Sequence, residues 1–169
     1  MAKPLPGTYP EYFDRYISQV SEDDVLIVLQ NQQVEINTFF DAIPPNKEMY
    51  AYAEGKWTIK EVLQHIIDAE RIFNFRALCF ARQEPQNIPG FDENNYALHS
   101  NANARDWKAM CEEMKAVRKT TIQLFESFTD TMLQYQGLAN GKPTTALAMG
   151  FITAGHFIHH LNIIKERYL

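Results

Sequence analysis

The sequence predicts an all-α protein, a four-helix bundle with a long loop between its second and third helices. Three observations carry that expectation. Four stretches place apolar residues at helical spacing, each for roughly four to seven turns. No run alternates apolar and polar residues convincingly over the length of a strand. The 169 residues, 46% of them apolar and 22% charged, suffice for one domain with a single substantial core. Residues 1–169 are therefore read as one bundle domain, with an irregular arm at 1–20.

That arm is rich in Pro, Tyr and Phe, with a short turn of helix expected around Glu11 to Ile17. Ser21-Glu22-Asp23-Asp24 then offers a helix start, with Ser21 as N-cap and acidic residues in the first turn. Val25, Leu29, Ile36, Phe39, Phe40 and Ile43 follow at helical spacing, and Pro44-Pro45 ends helix one. Thr58-Ile59-Lys60-Glu61 matches a capping box and opens helix two, which Val62, Leu63, Ile66, Ala69, Phe73, Ala77 and Phe80 carry to about Arg82. From Gln83 to about Asn103 turn formers dominate, as in Pro89-Gly90 and Asn94-Asn95. A loop of this length in a compact domain is usually functional or disordered. Phe91, Tyr96 and Leu98 are expected to anchor it in an ordered state. Helix three takes Trp107, Met110, Met114, Val117, Thr121, Leu124 or Phe125, and Phe128 along one face, and its Trp and Met residues read as core. A polar linker follows Asp130, with Asn140-Gly141 as a turn, and helix four runs from Thr145 to about Tyr168.

Composition narrows the function classes. A net charge of -5 and the absence of a Lys/Arg run argue against a nucleic-acid partner. No apolar run approaches the roughly 20 residues that span a bilayer, and the N-terminal residues lack a signal-peptide core. Cys79 and Cys111 match no Cys-x-x-Cys spacing and read as free thiols of a reducing compartment. The expectation is a cytoplasmic protein with no membrane partner.

Three of the five histidines fall in Gly155-His156-Phe157-Ile158-His159-His160. Residues four apart share a helix face, so His156 and His160 can aim at one point. Taking about 100° per residue, the core direction of helix four passes through Gly150, Phe157, Leu161 and Ile164. His156 and His160 lie together on its flank, beside Met149 and Thr153, while His159 points further toward solvent. On helix two His65 lies on the corresponding flank, shared with Ile72 and Arg76. Three His ligands leave one tetrahedral position for water or substrate, as catalytic zinc sites do. His99, in the long loop, reads as a surface residue. Asp68 and Glu61 neighbour His65 along the chain but point outward.

Competing chemistries lack their residues. His-Glu-x-x-His is absent, Glu61 and His65 have the wrong spacing for a di-iron bundle, and neither a phosphate loop nor Gly-x-Ser-x-Gly occurs.

Trp57-Thr58-Ile59-Lys60-Glu61-Val62-Leu63-Gln64-His65-Ile66-Ile67-Asp68-Ala69-Glu70 resembles the second-helix signature of the DinB/YfiT-like metalloenzymes. Ala154-Gly155-His156-Phe157-Ile158-His159-His160-Leu161 resembles their fourth-helix signature, and the loop with Pro89-Gly90-Phe91-Asp92 resembles the segment after their second helix. The resemblance implies a four-helix bundle, often dimeric, with a divalent metal on His65, His156 and His160. It also implies thiol-dependent transfer or isomerisation as one chemistry of the group. The reading is then a metal-dependent S-transferase or hydrolase acting on a small molecule, with zinc or nickel foremost and iron or manganese as alternatives. A low-molecular-weight thiol is a candidate cosubstrate and a homodimer the expected assembly. His159, Asn162, Arg76, Asn95 and Tyr96 are candidates for supporting the ligands or touching substrate. The competing reading is a bundle that binds metal or a partner without catalysis.

Overall fold

Each long helix starts where a short polar side chain takes up its first free amides. In the computed structural model, which describes residues 2–169, the arm carries a 3-10 turn, Glu11–Phe13, that runs into α1, Asp14–Ile17. The next helix, α2 (Val25–Phe39), is capped by Asp24, whose side chain accepts from the amides of Leu26 and Ile27. The expected cap, Ser21, instead donates its hydroxyl to Glu22. The reason is position: a cap must stand immediately before the first helical residue to reach the second and third amides, and Asp24 does.

Helix α3 (Ile59–Ala81) has both halves of its capping box. Glu61 N–H donates to Thr58 Oγ1 at 3.1 Å, and Thr58 N–H to Glu61 Oε2 at 2.7 Å. The long loop is ordered around a short helix, α4 (Glu93–His99), capped by Asp92. Of its expected anchors, Phe91 is half-buried and packs against the core. Tyr96 leans on Phe91 with ring centroids 5.2 Å apart, but Leu98 is 78% exposed and anchors nothing in this chain. Then come α5 (Trp107–Glu126), capped by Asp106, and the short α6 (Asp130–Gln134). The last helix, α7 (Ala146–Arg167), starts at a Thr145 cap.

The bundle is formed by α2, α3, α5 and α7. Both α5 and α7 pack against α3, and the same two pack against α2. Thus α2 and α3 face each other across one diagonal, and α5 and α7 across the other. Two of the three connections between bundle helices therefore cross a diagonal, which a plain up-down-up-down bundle never does. By length and composition α7 is apolar enough to cross a membrane, yet 78% of that window is buried inside the bundle.

The linker before α7 departs from expectation. Instead of an irregular polar connection it forms α6 and an antiparallel hairpin, β1 (Gln136–Ala139) with β2 (Lys142–Thr145). Asn140 and Gly141 both have positive φ, 51° and 70°, as a two-residue type I′ turn requires. Neither strand has a β-rich sequence, and Gly137 and Pro143 weaken the signal further. The pairing is held from outside. Ile88 N–H donates to Leu138 O and Asn140 N–H to Ile88 O, at 2.9 and 2.8 Å. Gly137 lies so close to α3 that a Cβ there would meet Phe80 at 2.1 Å.

A polar cluster sits in the middle of this apolar bundle. Arg118 on α5 is fully buried and makes a two-pronged contact with Glu70 on α3, 2.8 Å on each arm. Its third donor reaches Gln32 Oε1 at 2.5 Å, and Gln32 Nε2 donates to Ala154 O on α7 at 2.9 Å. Thr121 adds a hydroxyl to Glu70 at 2.6 Å. All four long helices meet in this one network.

Candidate metal centre

Two helix starts set the register of the three histidines. The Thr58 capping box fixes α3 two turns ahead of His65, and Trp57 just before it lays its ring 4.9 Å from the His65 ring. The Trp57 carbonyl is in turn held by Tyr168 Oη at 2.8 Å. On α7, His156 and His160 are one turn apart and share a face, and the Gln32 bond to Ala154 O ties that stretch to α2. Since α3 and α7 pack directly against each other, their flanks meet.

The three imidazoles converge through Nε2. His65 Nε2 and His160 Nε2 lie 3.0 and 3.1 Å from His156 Nε2, and one nitrogen from each ring fits within a 4.8 Å span. A neutral imidazole nitrogen carries either one proton or one in-plane lone pair. His156 Nε2 therefore cannot make two full hydrogen bonds to its neighbours, whereas one cation can accept a lone pair from all three. Nitrogens bound to tetrahedral zinc at 2.0–2.1 Å stand about 3.4 Å apart, close to the two separations that involve His156. The donor set fits a divalent transition-metal ion.

Electrostatics favours the ligating form. His156 is 5% exposed, and burial, followed by the neighbouring His160 and His65, pushes its pKa well below the usual imidazole range. Burial does the same to His160. His65 is lowered to about 4, again mainly by burial and then by His159. All three are neutral near pH 7, which metal binding requires.

The cluster forms the inner wall of a cavity of about 580 Å³, a volume typical of small-molecule sites. Phe73, edge-on to His156 at 5.5 Å, and Trp57 supply apolar walls. The hairpin closes one side with Asn140 and Lys142, and the arm closes another with Tyr12, Arg15 and Tyr16. Tyr16 stands edge-on to both His156 and His159, at 5.4 and 5.3 Å, and burial raises its phenol pKa.

The arm reaches this position because Gly155 has no side chain. A Cβ there would lie 2.1 Å from the backbone oxygen of Tyr16, a clash that backbone cannot relieve by rotating. Gly155→Ala is expected to lift α1 off α7 and cost about 1–3 kcal/mol, the range for overpacking. It should also open the pocket at Tyr16 while leaving the three imidazoles in place. Urea unfolding, and acrylamide quenching of Trp57 fluorescence in a Trp107→Phe background, check both halves; unchanged stability and quenching would contradict the close approach.

The remaining candidates divide. His159 is half-buried on the cavity wall, its ring 5.1 Å from that of His160, so it faces the pocket more than its helical position suggests. Arg76 is buried and lines the cavity. Asn95 and Tyr96 are exposed and lie outside the cavity lining, because α4 turns that face of the loop outward. Asn162 is exposed too, and it reaches Gln19 of the arm at 3.4 Å rather than the histidines. Tyr16, Trp57, Arg15 and Lys142 were not among the expected site residues. Trp57, adjoining the capping box, carried a usable signal; the other three reach the pocket only through tertiary packing of the arm and hairpin.

Fold and donor set together describe a helical bundle with a three-histidine cluster at an open pocket, and comparison with known proteins agrees. The chain belongs to the DinB superfamily, whose family model matches residues 29–164. It is 24% identical over 116 residues to a candidate metal-dependent hydrolase of Oceanobacillus iheyensis, a match spanning 68% of this chain and 66% of that protein. Its fold is similar to that of YfiT from Bacillus subtilis, described as a candidate metal-dependent hydrolase with an unusual four-helix bundle topology. The TM-score is 0.75 at 17% identity, covering 97% of this chain and 90% of that one. A mycothiol-dependent maleylpyruvate isomerase is also similar in fold, with a TM-score of 0.67 at 9% identity, over 86% of this chain and 61% of that one.

Proposed function

We propose that this chain is a metal-dependent enzyme acting on a small molecule, a hydrolase or a thiol-dependent S-transferase, with His65, His156 and His160 as the protein ligands. The observation that carries this reading is the meeting of three Nε2 atoms at the inner wall of an open pocket. When bound there, a divalent ion supplies Lewis acidity and brings deprotonation of a coordinated water or thiol toward neutral pH. Both versions of the reaction use that one property and differ in the nucleophile.

The chain's own residues do the rest. His65 and His160 aim their nitrogens from two packed helices, so a rigid interface sets the geometry. Trp57 and Phe73 hold the ring planes and keep bulk water from the inner wall. The hydrolase version is supported by the names of the relatives from Oceanobacillus iheyensis and Bacillus subtilis, and the thiol version by the mycothiol-dependent isomerase.

The test is metal removal and return. Protein loaded with zinc, nickel, iron or manganese is expected to hold about one equivalent by elemental analysis. Hydrolysis of simple esters, or transfer of glutathione, mycothiol or bacillithiol to electrophilic acceptors, should stop on chelation and resume on reloading. Protein that takes up none of these ions would overturn the reading. Stoichiometric metal without turnover across both panels would leave a non-catalytic metal-binding bundle.

A further inference from the structure

We propose that Arg76 forms a carboxylate-binding subsite in the pocket, so that the preferred ligands are elongated small molecules with an apolar body and a terminal carboxylate. The proposal rests on reading the pocket as the substrate site, and it adds a substrate class to that reading.

The chain contains its own control. It buries two arginines on bundle helices, and they are treated differently. Arg118 has a partner on every nitrogen, Glu70 on Nε and Nη2 and Gln32 on Nη1. Arg76 is only 6% exposed, yet among the described residues no carboxylate pairs with it. Its one hydrogen bond runs from Nη2 to the Pro89 carbonyl at 3.1 Å. Among the described residues its buried Nε has no hydrogen-bond partner, and the guanidinium carbon lies 5.9 Å from the Phe91 ring centroid. A buried guanidinium with one neutral acceptor is costly unless something completes it. Because Arg76 lines the cavity, a ligand can do so. Where the guanidinium meets the cavity, a carboxylate is the acceptor that pairs with it best, as Glu70 does with Arg118.

Charge around the cavity points the same way. Arg15, Arg76 and Lys142 line it against a single carboxylate, Glu93. Distance sets the ligand's shape. Arg76 follows His65 by eleven positions on α3, close to three full turns, so both face the same side with Cα atoms about 16 Å apart along the axis. Phe73 lies on α3 between them. A molecule touching both ends is elongated, with an apolar middle against Phe73 and Phe91.

The probes are ω-phenylalkanoates from phenylacetate to 8-phenyloctanoate, each paired with its primary amide, and binding is read by calorimetry and by Trp57 fluorescence in a Trp107→Phe background. Longer carboxylates are expected to bind wild-type protein roughly tenfold or more tightly than their amides, as a charge-assisted pair implies. Arg76→Met should remove that preference, and Arg76→Lys should retain part of it. Equal affinity for acid and amide, no binding of any member at millimolar concentration, or an Arg76→Met variant with the preference intact would overturn the proposal. Arg76→Met and Arg76→Gln are both expected to melt near the wild-type temperature; if both fail to fold, Arg76 is a structural element and the proposal falls. Repeating the titrations with chelated protein and with His156→Ala separates this idea from the metal reading. A preference that needs His156 but survives Arg76→Met places the carboxylate at the imidazoles and overturns the subsite alone. A preference that needs Arg76 in protein that takes up no metal supports the subsite, while the metal reading fails.

Discussion

Glu70→Leu is expected to destabilise the fold by about 3–5 kcal/mol, the cost of stranding a charge inside a protein. Arg118 is fully buried, and Glu70, itself 2% exposed, takes two of its donors. Removing the carboxylate leaves the guanidinium with Gln32 and the face of Phe157, whose centroid is 5.0 Å away. Thr121 loses the nearer of its two acceptors and keeps the Val117 carbonyl at 3.0 Å. The loss at the guanidinium cannot be repaired by water, because the four helices close around the cluster. In a chain of this size the melting temperature should fall on the order of 10 °C. The double variant Glu70→Leu/Arg118→Met removes both charges and should recover much of the loss, since a well-packed apolar replacement of a buried pair is often neutral. Urea unfolding of the wild type, both single variants and the double variant gives the cycle. A Glu70→Leu loss below about 1 kcal/mol, the scale of a surface pair, would show that the pair is not closed off from water as it appears.

This pair was open to detection in the sequence. Ile66, Glu70, Phe73 and Ala77 form one helical stripe, and Met114, Arg118, Thr121 and Phe125 form another. An acid in one apolar stripe and a base in the other is the pattern of a buried partnership. The histidines were legible for a similar reason: their flank positions follow from periodicity, which holds wherever a helix is long and well capped. For His159, helical periodicity gives a direction relative to one helix and cannot see the arm, whose Tyr16 turns that direction into a pocket wall. The hairpin was missed because its pairing is stabilised by Ile88 and by Phe80 under Gly137, contacts that lie more than forty residues away in the chain. The two diagonal crossings were equally invisible, since loop length alone does not say which neighbour a helix will pack against.

His156→Ala is expected to abolish metal binding more completely than any other single change at the proposed centre. His156 Nε2 is the nitrogen that both His65 and His160 approach, so its removal leaves two imidazoles with no common vertex. Loss of an outer-shell partner alone typically lowers metal affinity 10–100-fold; loss of this central ligand should exceed about 100-fold and take turnover with it. The change is also separable from misfolding. A metal held at a hundred times its dissociation constant stabilises the native state by about 2.7 kcal/mol, which in a chain of this size raises the melting temperature by roughly 5–10 °C. Wild-type protein should show that rise on adding zinc or nickel. His156→Ala should melt cooperatively and show none, because ligand binding can stabilise a fold only through the affinity it retains. His159→Ala, which alters the pocket wall without touching an Nε2 contact, should keep most of the rise. If His156→Ala keeps its metal-induced shift, the ion binds elsewhere and the three-histidine centre is not its site.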